Sequence, residues 1–391
     1  MTRAVNSKRA VAECLDSALG EGSDRPAGLI ILHASLGHDL AELAAEALRL
    51  APGSQVVGAS CCGVVGSEGV SESMKALGVM SVRGEIGEWA VAALDDVYGE
   101  NAFAAAAQMA REVKRQAPGV KMVFLMASGI DFAADRLIQG IESELGPEVT
   151  IFGATSSDNM KGVTSFQYAE GRTTEHGAWL VGFADPSLEV VTQATHGFMA
   201  IGTPLIATRT EGNRILELNG RPAWEEFTDR LGLPPTATPG DSIPIGALGE
   251  ELSPTRAAEY GNPHLLRVVT RRDADGTMYY ATECPTGTKL WLTRRDEPAI
   301  FGSLELMMQQ IVAKLGDRKP VAVLHADCLA RGRYLFNRVL KEEIVGLMQS
   351  SLFTQGDVPW LGMYGFGEFA RLGGTNEFHN YTTSLAVITR R

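Results

Sequence analysis

The chain spells one corner three times. An apolar run of strand length, Gly28 to Ser35 (GLIILHAS), leads into the helical pattern HDLAELAAEALRL and then into a strand that turns on glycine, VVGASCCGVVG. SMKALGVMSV and EWAVAALDDV follow as two further strands. Lys121 to Ser128 (KMVFLMAS) begins again, with the helix FAADRLIQGIESEL, the strand-turn TIFGATSSDNMKG, and then TSFQYAEG and GAWLVGFA as a strand pair joined by a turn. Val321 to Cys328 (VAVLHADC) begins a third time, followed by YLFNRVLKEEIVGLMQ, WLGMYGFGE and TTSLAVI. Leu32-His33-Ala34-Ser35 aligns with Leu125-Met126-Ala127-Ser128 and with Leu324-His325-Ala326-Asp327, and Gly58 aligns with Gly153 and Gly362. Short β-rich runs alternating with helical periodicity predict β-α-β units. Repetition predicts related sheets whose equivalent loops line equivalent surfaces. The expected fold is therefore α/β, with repeated β-α-β-β units forming mixed sheets.

A different region separates the second and third copies. TPLIATRTEGNRILELNGRPA, Thr203 to Ala223, reads as two strands across an EGN turn, with a short helix to Leu231. LPPTATPGDSIPIGALGEELSP is rich in proline and glycine and predicts a long surface loop. HLLRVVTRRDADGTMYYATECPTGTKLWLTRR predicts a β-meander turning at Asp275-Gly276. The expected organisation is residues 25–195 with two repeats, and residues 196–391 with the meander and the third repeat.

Composition excludes several classes. A formal net charge of −12 argues against nucleic acid as a partner, since phosphate binding needs a basic patch. No apolar run approaches the roughly 18 residues of a membrane span. The opening MTRAVNSKRAVAECL lacks the apolar core and cleavage site of a secretory signal, so a cytoplasmic protein is expected. The five cysteines form no C-x-x-C pair and signal neither a disulfide framework nor zinc.

Chemistry-bearing residues concentrate in the third corner, LGMYGFGEFARLGGTNEFHNYTT, Leu361 to Thr383. Glycine turns between rigid strands can aim side chains at one small volume. Tyr364, Glu368, His379 and Asn380, with Cys328 and Arg331 from the adjoining strand end, are expected to line one pocket. Cys328, His379 and Asn380 also have the composition of a Cys-His-Asn hydrolase, in which imidazole would form the thiolate and amide would hold the imidazole. No nucleophile elbow surrounds Cys328, and no Walker or G-x-G-x-x-G pattern follows a strand. His33 and His325 end equivalent strands and read as core residues, whereas His38 and His176 read as solvent-facing and His264 as peripheral. Cys61-Cys62 at a glycine turn is a weak candidate for an accessible thiol, and Cys284-Pro285 reads as a strand turn.

Several blocks resemble the FIST proteins: GASCCGVVG, GATSSDN with GAWLVGF, HGFMAIGTPLIATRTEGNRILELNGRPA, CLARG, and GMYGFGEFARLGGTNEFHNYTTSLAVI. Nearly the whole chain is covered by both FIST regions. The resemblance implies a sensory, ligand-binding protein of signal transduction that acts on a partner such as a histidine kinase or a cyclic-dinucleotide signalling protein. One branch is implied to bind haem and to report nitric oxide to a histidine kinase. His196, at the end of the apolar strand LEVVTQATH, is the candidate axial and metal ligand. Phe198, Met199 and Trp224 would supply apolar surround, and Arg209, Arg221 or Arg267 would meet the propionates, since haem needs an axial donor, an apolar cleft and cations. The expectation is a haem-based nitric oxide sensor that is not itself an enzyme. The alternatives are a haem-free sensor of amino acids or other small molecules, and the hydrolase.

Overall fold

The structure, a computed structural model, describes residues 1–20, 27–84, 87–332, 340–353 and 358–391. The first unit comprises α1 (Ser7–Leu19), β1 (Leu29–Ser35), α2 (Leu40–Leu50), β2 (Gln55–Cys61), the hairpin β3 (Val64–Gly66) and β4 (Gly69–Ser71), and β5 (Leu77–Val82). The second comprises β6 (Trp89–Leu94), α3 (Ala102–Gln116), β7 (Met122–Ala127), α4 (Ala134–Leu145), β8 (Thr150–Thr155), the hairpin β9 (Gln167–Ala169) and β10 (Arg172–Thr174), and β11 (Ala178–Phe183). The third opens with β12 (Leu188–Thr195) and is then interrupted.

The interruption is an insert. It runs through β13 (Phe198–Glu211), β14 (Arg214–Leu218), β15 (Arg221–Pro222), α5 (Ala223–Leu231), α6 (Pro239–Ser242), β16 (Ala247–Glu251), α7 (Pro254–Tyr260), β17 (His264–Arg267), β18 (Arg271–Arg272), β19 (Met278–Tyr279) and β20 (Lys289–Arg295). The third unit resumes with α8 (Glu297–Leu315), β21 (Pro320–Cys328), α9 (Leu340–Leu352), β22 (Trp360–Gly365), the hairpin β23 (Glu368–Leu372) and β24 (Thr375–His379), and β25 (Thr383–Arg390). The part of the expected helix YLFNRVLKEEIVGLMQ before Leu340 lies outside the described residues.

Each unit pairs its first two core strands in parallel and returns its last strand antiparallel on the other side of the first. Every position of β1, β7 and β8 is buried, which is why these strands read as unbroken apolar runs. Inner faces of the three sheets meet in a shared core containing Ile31, Val57, Phe124, Phe152, Trp179, Leu324, Met363 and Ala386. Helices cover the outer faces with separate apolar clusters.

The hairpins do not stay home. β9 pairs with β2, β3 with β22, and β23 with β8. The second unit thus completes the first unit's sheet, the first completes the third's, and the third completes the second's, closing a ring. Strand ends interlock at the crossings: Cys62 N donates to Tyr364 O at 3.1 Å, Tyr364 N to Gly63 O at 2.9 Å, and Thr155 N to Gly367 O at 2.9 Å. The exchange occupies backbone groups that would otherwise form open sheet edges. At the second corner, a Cβ on Gly153 would lie 1.9 Å from Leu125 O, so β8 can lie against β7 there only with glycine.

Three local expectations change. TSFQYAEG pairs with β10 and β2, while GAWLVGFA pairs with β6 and β7, so the two are not a strand pair. EWAVAALDDV supplies β6, which pairs with β11 of the second unit. The expected long loop after Leu233 contains β16, held between β17 and β20. Its alternation is too short to stand out among prolines and glycines. Among the described residues, no helix is long and apolar enough to cross a membrane.

Candidate functional site

The third corner folds as β22, a hairpin and β25. Glu368 and His379 stand opposite each other in the β23/β24 ladder, and Glu368 also sits beside Ala154 of the second unit's sheet. Tyr364, Glu368, His379, Asn380, Cys328 and Arg331 are all buried. This is an interior polar network.

Its geometry is specific. Thr382 Oγ1 donates to Glu368 Oε2 at 2.7 Å, and burial pushes the Glu368 carboxyl well above the usual carboxylate range. His379 Nε2 donates to Ala370 O at 3.3 Å, and its Nδ1 accepts from Tyr260 Oη at 3.4 Å. Burial lowers the imidazole to about 3, so it stays neutral. Arg331 Nε donates to Asp327 Oδ1 at 3.2 Å and its Nη1 to His196 O at 2.7 Å. That pair ties the end of β21 to the start of the insert. Tyr364 is buried in the apolar cluster beneath α8 and α9, where desolvation raises its phenol.

The hydrolase arrangement is not assembled. The His379 nitrogens are engaged by Tyr260 and Ala370, and the Asn380 side chain binds Phe366 O at 3.3 Å and Val268 N at 3.2 Å. Burial drives the Cys328 thiol well above its ordinary value, opposite to what a thiolate nucleophile needs.

The expectation that six residues line one pocket also changes. A cleft of about 390 Å³ takes Cys328 and Asn380 into its lining, whereas Arg331, Tyr364, Glu368 and His379 are buried outside that lining. Ile130 and Phe132 follow β7, Met160 and Lys161 follow β8, Leu329 and Ala330 follow β21, and Ile243 and Val268 come from the insert. The cleft therefore opens where parallel strands end, the usual ligand position in open α/β sheets. Its volume is within the range of small-molecule sites. No motif marked Ile130, Phe132 or Lys161. The repeat was the available signal, but the sequence alignment sets Ser128 against Asp327, whereas the strand registers, Leu125 opposite Gly153 and His325 opposite Gly362, set it against Cys328, so that Gly129 to Phe132 follows Ser128 as Leu329 to Gly332 follows Cys328.

Haem does not fit at His196. The ring is fully buried, its Nε2 donates to His264 O at 2.9 Å, and its Nδ1 accepts Phe198 N–H at 2.8 Å. Burial lowers it to about 3. The ring packs edge-on against Phe198 and Tyr260, with centroids 6.1 and 5.5 Å away, and the adjoining backbone is tight, since a Cβ on Gly197 (φ 81°) would lie 2.3 Å from Ile300 Cα. The other expected haem contacts diverge: Phe198 is buried, Met199 is 52% exposed, and Arg209 pairs with Glu217 at 3.1 Å. Trp224 lies in the insert's own core, Arg221 pairs with Glu226 and Asp229, and Arg267 pairs with Glu250.

His33 is buried as expected, and desolvation lowers it to about 4. His38 is buried rather than solvent-facing, meeting Ser7 Oγ and Lys75 O, and His264 is buried beside Trp291 rather than peripheral. Cys61 and Cys62 are buried, which removes the basis for an accessible thiol. Among the described residues, no group of three or more histidine, cysteine or carboxylate side chains is placed to hold a metal ion.

Relatives include uncharacterized proteins of Mycobacterium tuberculosis, 25% identical over 267 residues that cover 67% of this chain and 67% of theirs. An uncharacterized protein of Mycobacterium bovis is also 25% identical over 267 residues, covering 67% of this chain and 66% of its own. The FIST N domain model matches residues 28–221 and the FIST C domain model matches residues 223–371. FIST domains are associated with sensory signal transduction. With both domain models matched in tandem, the chain belongs to the FIST domain family.

Proposed function

We propose that this protein is a haem-free small-molecule sensor whose ligand binds in the cleft at the ends of β7, β8 and β21. The observation that carries this reading is the cleft's construction from three parts of the fold: the second unit, the third unit and the insert. A ligand touching all three favours the arrangement in which they are docked, and it does so by its differential affinity for that arrangement. The resemblance to FIST sensors suggests a signalling protein in trans as the reader, a histidine kinase or a cyclic-dinucleotide enzyme. The geometry of His196 gives the haem and nitric oxide reading no support.

Thermal-shift screening of a metabolite library on the wild type and on Ile130→Trp tests the reading. A ligand at about 100 times its Kd stabilises by roughly 2.7 kcal/mol, and the indole would fill the cleft. Compounds that raise Tm in the wild type should fail in the variant. A screen in which stabilising compounds act equally on both proteins places the site elsewhere.

A further inference from the structure

The cleft's lining specifies a ligand class. Ile130, Phe132, Met160, Ile243, Val268 and Phe366 supply apolar and aromatic wall. Lys161 carries the one charged side chain among the described lining residues, and it is exposed at the mouth. Its ammonium pairs with no carboxylate among the described residues. Asp158 is close in sequence, but its carboxylate accepts the backbone N–H groups of Lys161, Gly162, Val163 and Thr164 at 2.7, 3.1, 2.9 and 3.4 Å. Asp241 is similarly engaged, by Thr238 N and Oγ1, both at 2.8 Å. The acid that would most simply neutralise Lys161 is instead used to fix the loop that presents it.

We propose that the cleft takes a small, largely apolar carboxylic acid, aliphatic or aryl, with its body on the Ile130, Phe132 and Phe366 wall and its carboxylate at Lys161. This rests on the cleft being the sensor's ligand site. In a chain of net charge −12 the overall field opposes an approaching acid, so an apolar site with an exposed cation and no carboxylate in its described lining discriminates by charge as well as by shape.

Calorimetric titration with octanoate and phenylacetate, each against its neutral amide, tests the proposal on the full chain. An exposed ion pair contributes up to about 1 kcal/mol, so the acid should bind about fivefold more tightly than the amide. That preference should vanish in Lys161→Gln and shrink in about 0.5 M salt, while amide affinity stays unchanged. Ile130→Trp should remove binding of both. Equal affinity of acid and amide for the wild type overturns the charge selection and leaves the cleft reading standing. Absence of binding by either acid overturns the proposed class, while the library screen still decides the cleft. Acid binding that survives Ile130→Trp overturns both.

Discussion

Asn380 Oδ1 accepts the backbone N–H of Val268 at 3.2 Å while Asn380 Nδ2 donates to Phe366 O at 3.3 Å. One buried carboxamide thereby joins the insert to the ring of three units, at the floor of the cleft. Val268 is itself a wall residue, so cleft geometry depends on this link.

Replacing Asn380 with alanine should cost about 1 kcal/mol, because it removes hydrogen bonds to a part-buried N–H and a part-buried carbonyl. The loss should be local first. Hydrogen exchange should accelerate at the Val268 amide and along β17 before the core strands respond. Urea unfolding gives the total, and a uniform rise in exchange across all sheets would contradict a linking role.

The exchanged hairpins predict how the chain can be divided. Fragments 1–195 and 196–391 separate β8 from β23 and β22 from β3, pairings that complete two of the three sheets. They also separate β12 from β25 along eight paired positions. Each fragment alone should lack a cooperative unfolding transition, and mixing the co-expressed halves should restore one. Independent folding of 1–195, read by dispersed amide resonances, would show that the exchange is dispensable.

The three corners were legible because their strands are buried on both faces, as at Leu29–Ser35 and Met122–Ala127, and such strands leave unbroken apolar runs. Hairpin exchange was not legible. Val64–Gly66 and Gln167–Ala169 are three-residue strands whose partners lie far away in sequence, and no local period encodes which sheet accepts them. The candidate site was half legible for a similar reason. Glu368 and His379 stand out in the sequence as titratable residues near glycines, yet their paired positions are buried and outside the cleft's lining. The cleft itself is lined from loops at residues 129–132, 160–162 and 238–243, where backbone path rather than residue type decides what faces in.

His196 should behave as a structural residue. Removing its ring leaves the Phe198 N–H and the His264 carbonyl unpaired, so His196→Ala should lose about 1–3 kcal/mol. Titration with hemin should produce no Soret band that depends on His196. A band in the wild type that disappears in the variant, with the fold retained by circular dichroism, would restore the haem reading.

Glu368 supplies a pH signature of the interior. Burial raises its carboxyl well above the ordinary 4.5; nearby Asp327 adds to the rise, while Thr382 and Arg331 oppose it. Above about pH 4.5 the unfolded chain releases this proton while the folded chain keeps it, so stability falls as pH rises toward the folded value. Buried His33, His196 and His379 act in the opposite sense. Their folded values of about 4, 3 and 3 lie below the ordinary 6.5. Their contribution is complete above about pH 6.5 and is lost as pH falls toward those values. Glu368→Gln keeps an oxygen for the Thr382 hydroxyl and removes the titration. The variant should therefore match the wild type near pH 4.5 and become progressively more stable than it up to pH 8, while the acid-side loss from the histidines persists. Chemical denaturation of both proteins across that range gives the difference directly. A difference that does not grow with pH would mean that Glu368 is not held protonated in the folded protein.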